Sequence, residues 1–176
     1  VPACYPVWFR PIPHPGGGWD TLNADGVAIG KMPQTGTFFD QCFFPYLDGY
    51  PDNYKKLPAD MNNVVWAALV HSPWDHAGET DFWNQLALRA KKLRQNSNRA
   101  LMLVAGCNLF EWGTFLRRLD NFLMDIFTDQ DNVERLLDAL LAIHLDTLNK
   151  VIDAVGNNAD IIRFGDDLGM DCGPFM

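Results

Sequence analysis

Apolar residues recur at helical spacing along the second half of the chain, interrupted by two short apolar runs without that spacing. Phe82, Leu86, Ala90 and Leu93 stand three or four apart, with Arg89, Lys91, Lys92 and Arg94 among them. One apolar stripe and one solvated face predict a helix over residues 82–95. Thr80 and Asp81 supply its start signal, and Asn96-Ser97-Asn98 its end. Trp112, Phe115, Leu116, Leu119, Phe122, Leu123 and Ile126 form a broader stripe, predicting a helix over 112–127. A third stripe, Val133, Leu137, Leu140, His144, Leu148, Val151 and Val155, predicts a helix over 132–155. Asp131 and Glu134 open it as an Asp-x-x-Glu capping box, and Gly156 closes it. His144, in mid-stripe, reads as a core histidine with one nitrogen satisfied.

The two runs, a continuous one at residues 100–105 and a short one at 161–164 within the expected strand 160–164, lack helical period and are bounded by turn residues. They read as parallel strands buried on both faces, joined by a helical crossover in a right-handed βαβ unit. Each ends in a polar loop, Cys107-Asn108-Leu109-Phe110-Glu111 after the first and Gly165-Asp166-Asp167-Leu168-Gly169 after the second. In parallel α/β folds, ligands bind at the carboxyl ends of the strands. Asp166, Asp167 and Glu111 are therefore the candidate catalytic carboxylates. Asn108, Arg163, Gly165 and Gly169 are the candidate substrate-binding residues, the glycines because they let the backbone turn and approach a ligand. One aspartate is expected to be held by Arg163 or by backbone N–H groups, the other to face substrate. The competing role for the pair is a polar turn in which an aspartate caps the next helix. A (β/α)8 barrel and a doubly wound sheet share this local pattern.

No helical period survives in the first part of the chain. Residues 1–73 hold ten of the eleven prolines and half of the fourteen glycines. Residues 27–32 and 37–44, with Pro33-Gln34-Thr35-Gly36 between them, read as a hairpin. The chain thus divides into a β-rich lead-in over 1–75 and an α/β part over 76–176. His14-Pro15-Gly16-Gly17-Gly18 lacks the Gly-Lys-Ser/Thr ending of a phosphate loop. His71 and His76 are five apart, a spacing that suits neither a helical nor a strand metal pair, so no metal ligands are assigned.

At 176 residues the chain is long enough for one domain with a sizeable core, and 48% hydrophobic content excludes disorder. A formal net charge of −8 argues against nucleic acid or an anionic membrane as partner. No apolar run is as long as a membrane span, and no secretory signal opens the sequence. Cys4, Cys42, Cys107 and Cys172 form no Cys-x-x-Cys pair and read as reduced thiols of a cytoplasmic protein. The sequence begins without Met and stops just past a strand, so it looks like a truncated piece of a longer chain. Exposed apolar surface along its sheet edges is then expected.

Phe164-Gly-Asp-Asp-Leu-Gly-Met-Asp-Cys-Gly-Pro-Phe-Met176, after the strand start at residues 159–162, resembles the uroporphyrinogen decarboxylase superfamily, in particular its branch related to corrinoid methyltransferases. Residues 116–126 resemble the family's helix after a barrel strand, and the hairpin with Pro45 and Pro73-Trp74-Asp75 its lead-in. The resemblance implies part of a (β/α)8 TIM barrel with its site at the C-terminal mouth. It implies methyl transfer between a small-molecule donor or acceptor and a corrinoid, the latter bound directly or on a partner protein. Porphyrinogen decarboxylation is the alternative, and a non-catalytic barrel holding a small molecule is a third reading. Two departures bear on the choice. Pro6-Val7-Trp8-Phe9-Arg10 is followed by Pro11-Ile12-Pro13-His14 where the decarboxylases continue Gln-Ala-Gly-Arg. No histidine is followed two residues on by cysteine, so the ligands of a zinc-using member would lie beyond Met176.

Overall fold

The computed structural model describes residues 10–69, 78–170 and 173–174. Cys4, Cys172, His71, His76 and the segments 6–9 and 73–75 lie outside the described residues. The helices are α1 (Leu57–Met61), α2 (Val65–Leu69), α3 (Thr80–Gln95), α4 (Phe110–Arg117), α5 (Leu119–Thr128) and α6 (Gln130–Val155). The strands are β1 (Ile12–Pro13), β2 (Trp19–Leu22), β3 (Ala28–Met32), β4 (Asp40–Gln41), β5 (Met102–Gly106), β6 (Ile161–Phe164), β7 (Gly169–Met170) and β8 (Gly173–Pro174). They fall into two compact units, residues 1–71 with 112–136, and residues 72–111 with 137–176.

In the first unit, β1 to β4 form an antiparallel sheet in sequence order. The expected hairpin is present as β3 and β4, with Gly30 opposite Gln41 and Lys31 opposite Asp40, although its second strand is only two residues long. The longer pairing, β2 with β3, turns at Asn23-Ala24-Asp25-Gly26. Asn23 Oδ1 accepts the N–H groups of Asp25 and Val27 at 3.0 and 2.9 Å, and Gly26 takes φ 78°. Met32, Phe39 and Val65 form a buried cluster with Trp19 against it. A Cβ on Gly30 would collide with the side chain of Val65, so α2 reaches this sheet because residue 30 has none.

The stripe over 112–127 predicts one helix, but the chain makes two. Arg118 breaks them, with φ 72° and ψ 143°. A left-handed arginine is costly, of order 1 kcal/mol or more. Three contacts offset it. Arg117 Nε donates to Asp125 at 2.7 Å, and its Nη1 to the carbonyls of Tyr46 and Leu47 at 2.9 and 2.7 Å. The buried Phe122 packs where a Cβ on Gly113 would sit. The Arg117 guanidinium also lies over the Tyr50 ring, 5.1 Å from its centroid.

In the second unit, β5 and β6 pair in parallel, as expected, with Met102 opposite Ile161 and Val104 opposite Arg163. Arg94, in the last turn of α3, fastens the amino ends of both strands. It donates to Asp160, to the Asn158 carbonyl at 3.3 Å and to the Arg99 carbonyl at 3.3 Å, while Asp160 accepts the Leu101 N–H at 2.8 Å. Gly156 follows α6 with φ 54°, the left-handed helix stop read from the sequence. Burial on both faces does not hold. Along β5, Met102 and Val104 are exposed while Ala105 is buried, and every residue of β6 is exposed.

The (β/α)8 barrel is overturned by this topology. The fold is mixed α/β with small open sheets, which among the described residues are one antiparallel of four strands, one parallel of two and one antiparallel of two. A barrel closes only when each strand has a neighbour on both sides. Among the described residues β5 and β6 have only each other. A helix–strand–helix–strand pattern records the crossover between two parallel strands and carries no information on closure.

Candidate functional site

β5 ends in a sharp turn built from two successive left-handed residues, Gly106 at φ 70° and Cys107 at φ 63°. The turn swings the chain into α4, so the first N–H groups of that helix emerge beside the end of β6. Such groups lack intrahelical partners and favour an anion. Asp166 fills the place. Its Oδ2 accepts the N–H of Leu109 at 2.8 Å and of Phe110 at 2.7 Å, and its Oδ1 that of Glu111 at 2.8 Å. An aspartate held by backbone N–H groups is one of the two arrangements expected. Its capping role is also real, but directed at the helix that follows the other strand.

A cleft of about 410 Å³ opens at the carboxyl ends of β5 and β6. Asn108, Glu111, Arg163, Gly165, Asp166 and Asp167 line it. Gly169 does not. It belongs to the β7–β8 pair, and its N–H lies 3.5 Å from Asp167 Oδ1. Six of the seven residues singled out in the sequence thus share one cleft. Asn108 Nδ2 donates to Glu111 Oε2, which joins the polar wall on the β5 side. Arg163 holds neither aspartate by an ion pair among the described residues, contrary to the first of the two expected arrangements. Arg163 and Asp167 are both exposed and both line the cleft.

Beneath the Asn108 loop lies His144, 5% exposed. Burial pushes its pKa below the ordinary value, while a main-chain hydrogen bond at Asn108 and the charge of Asp166 pull the other way. The stripe over 132–155 placed this histidine in a core but gave no sign that it touches the candidate site. Cys107 has its thiol pKa raised by burial, and its Sγ lies 3.5 Å from the Ala105 carbonyl. The Cys107 turn had no signal beyond Gly106.

Among the described residues no group of three or more His, Cys, Asp or Glu side chains is arranged to hold a metal ion. Among the described residues the cleft lining contains no histidine or cysteine, so that lining lacks the donors that zinc–thiol chemistry uses. No helix among the described residues is long and apolar enough to cross a membrane.

No family model, curated protein or solved structure matches the chain. Corrinoid-dependent methyl transfer, uroporphyrinogen decarboxylation and the ligand-holding barrel all place their chemistry in the mouth of a closed barrel. Two parallel strands in an open sheet do not make that mouth. With no barrel and no family match, those functions and the methyltransferase assignment are overturned.

Proposed function

We propose that the cleft at the carboxyl ends of β5 and β6 binds a small zwitterionic molecule, one bearing a carboxylate and an ammonium group. One observation carries this reading. Within a single cleft, Arg163 has no partner among the described residues, and Asp167 has only the long contact from Gly169. A guanidinium takes a carboxylate in bidentate fashion, and an aspartate takes an ammonium or a hydroxyl. Asp166 is spent on α4 and is a scaffold for the site. Asn108 and Glu111, already joined, form the polar wall opposite. The cleft is open, so both charged contacts are screened and affinity is modest. The separated cysteines favour a reducing, cytoplasmic setting for this activity.

The test is a titration of the isotopically labelled protein with amino acids, and with matched simple acids and simple amines, followed by amide chemical shifts. Amino acids are expected to shift Gly165, Asp167 and Asn108 more than either matched ion does. Arg163→Gln and Asp167→Asn should each weaken the effect about tenfold, the scale of one charged contact. Equal shifts from the simple ions, or binding that survives both substitutions, overturns the reading.

A further inference from the structure

α3 carries the first apolar stripe read from the sequence, yet none of its residues is buried. Between α3 and β5 runs a groove of about 250 Å³, walled by Leu86, Ala90 and Leu93 from α3, Met102 and Leu103 from β5, and Val155 from the end of α6. Leu93 is 59% exposed and Met102 56%, so much of this apolar wall meets water. The groove lies at the amino end of β5 and shares no lining residue with the cleft at its carboxyl end. Its polar lining is Arg89 and Asn158. Asn158 is committed, since its Nδ2 donates to the Val155 carbonyl at 2.8 Å and its carbonyl accepts Arg94 at 3.3 Å. Arg89 is exposed, and its guanidinium makes no hydrogen bond or ion pair among the described residues. With Lys92, Leu93 and Asn96 it also lines an adjoining hollow, and the Lys92 ammonium is equally without a partner among the described residues. Arg89 and Lys92 stand three apart, so they share one face of α3.

Charge identifies the occupant. The chain carries a net charge of −8, but residues 89–99 hold five of its fourteen Lys and Arg and no carboxylate. Arg94 is spent on Asp160 and on the Asn158 and Arg99 carbonyls, which leaves Arg89 and Lys92 at the groove. We propose that the groove between α3 and β5 binds an anionic amphiphile, a medium-chain carboxylate whose chain lies along the Leu86–Leu93 wall and whose head meets Arg89 and Lys92. The chain would cover the wet surfaces of Leu93 and Met102. The head would relieve the repulsion of two like charges one turn apart. The volume suits such a body, since an apolar cavity of about 150 Å³ already holds a benzene ring, and drug-sized ligands need about 300 Å³ or more. Because the head is exposed and screened, the chain supplies most of the affinity and the head the selectivity. This site is independent of the ligand proposed for the cleft.

The experiment titrates the isotopically labelled whole chain with butyrate, hexanoate, octanoate, octanol and octylamine, and follows the amide shifts of Ala90, Leu93 and Leu103. Octanoate is expected to shift all three and to bind about fivefold more tightly than octanol, the scale of one exposed ion pair. From butyrate to octanoate the affinity should rise by up to about fourfold per methylene, the transfer free energy of a buried CH₂. Octylamine, protonated at neutral pH, should bind more weakly than octanol, although a chain of net charge −8 attracts cations in general. Arg89→Gln combined with Lys92→Gln should bring octanoate down to the level of octanol, and both side chains are exposed, so the fold is unaffected. Leu93→Gln should weaken octanoate and octanol alike. Octanol or octylamine binding as tightly as octanoate overturns the proposal, as does an octanoate affinity unchanged in the double variant. Octanoate shifts confined to Gly165 and Asp167 would place the carboxylate in the cleft and overturn the groove as its site. Shifts at the groove from an acidic amphipathic peptide, with none from octanoate, overturn it in favour of a protein partner.

Discussion

Asp166 Oδ1 accepts the main-chain N–H of Glu111 at 2.8 Å, across the mouth of the parallel strand pair. The first of two adjacent aspartates is therefore the N-terminal partner of a helix 50-odd residues earlier in the chain, with Leu109 and Phe110 as its other donors. Asp167 has no such duty. Asp166→Ala should lower stability by about 1–2 kcal/mol, the scale of a lost helix cap. Asp166→Asn keeps one acceptor oxygen and should lose less. Asp167→Asn should stay within about 0.5 kcal/mol of wild type, as exposed substitutions do. Urea unfolding of the three variants measures this, and equal losses at the two positions would remove the distinction between scaffold and site.

Gly113 decides between one helix and two. Glycine inside a helix is worse than alanine by about 1 kcal/mol, so in an uninterrupted helix over 112–127 Gly113→Ala would stabilise. With the break at Arg118, Phe122 packs directly on Gly113 and leaves no room for a Cβ. Gly113→Ala should therefore destabilise by about 1–3 kcal/mol, the cost of forcing an extra carbon into a packed contact. A rise in melting temperature would mean that α4 and α5 do not pack in this way.

The periodicity around residues 112–127 shows why part of this fold was readable and part was not. Period 3.6 reports which face of a helix is buried, and it found α3, α6 and the apolar positions of α4 and α5. It does not report a break imposed by tertiary contacts. Arg118 carries no glycine or proline signal, and what holds it left-handed is distant in sequence, namely Arg117 with Tyr46, Leu47 and Asp125. The parallel pairing of β5 and β6 was readable because a helical crossover enforces it. Their exposure was not, because an unbroken apolar run only permits burial on both faces. The mouth residues were readable because carboxylates and glycines at a strand end have few packing roles. What each carboxylate does was not, since the donors for Asp166 belong to a loop that the fold alone brings near. His144 was hidden for the opposite reason, since its main-chain partner at Asn108 belongs to the loop after β5 while its own helix presents it as one more position of an apolar stripe.

β5 and β6 should tolerate charge. Val104 is 63% exposed and Phe164 52% exposed, although parallel strands are normally covered on both faces. Val104→Lys and Phe164→Lys should change stability by no more than about 0.5 kcal/mol, against about 2–5 kcal/mol for truncating a residue packed in a core. Both should raise solubility by interrupting an exposed apolar strip. Light scattering against concentration, with urea unfolding of the same samples, measures the two effects. A large stability loss with unchanged scattering would show that something covers this face in solution.

Asp160 is expected to contribute to the acid stability of the second unit. Its carboxylate accepts the Leu101 N–H at 2.8 Å and is paired with Arg94, and both hold its pKa below the ordinary 3.8, the backbone bond more strongly. A carboxylate with a depressed folded pKa binds fewer protons folded than unfolded. Its contribution is therefore present above about pH 3.8 and is lost as pH falls through the folded value. Asp160→Asn cannot titrate, so it should be less stable than wild type at neutral pH and should converge on wild type at pH 2–3. Arg94→Gln should flatten the acid limb only in part, because the Leu101 bond remains. Unfolding free energies between pH 7 and 2 for wild type and both variants test the assignment. An Asp160→Asn curve parallel to wild type over the whole acid limb would show that this carboxylate contributes nothing to acid stability, and that the amino ends of β5 and β6 are held by the Arg94 contacts to the Asn158 and Arg99 carbonyls alone.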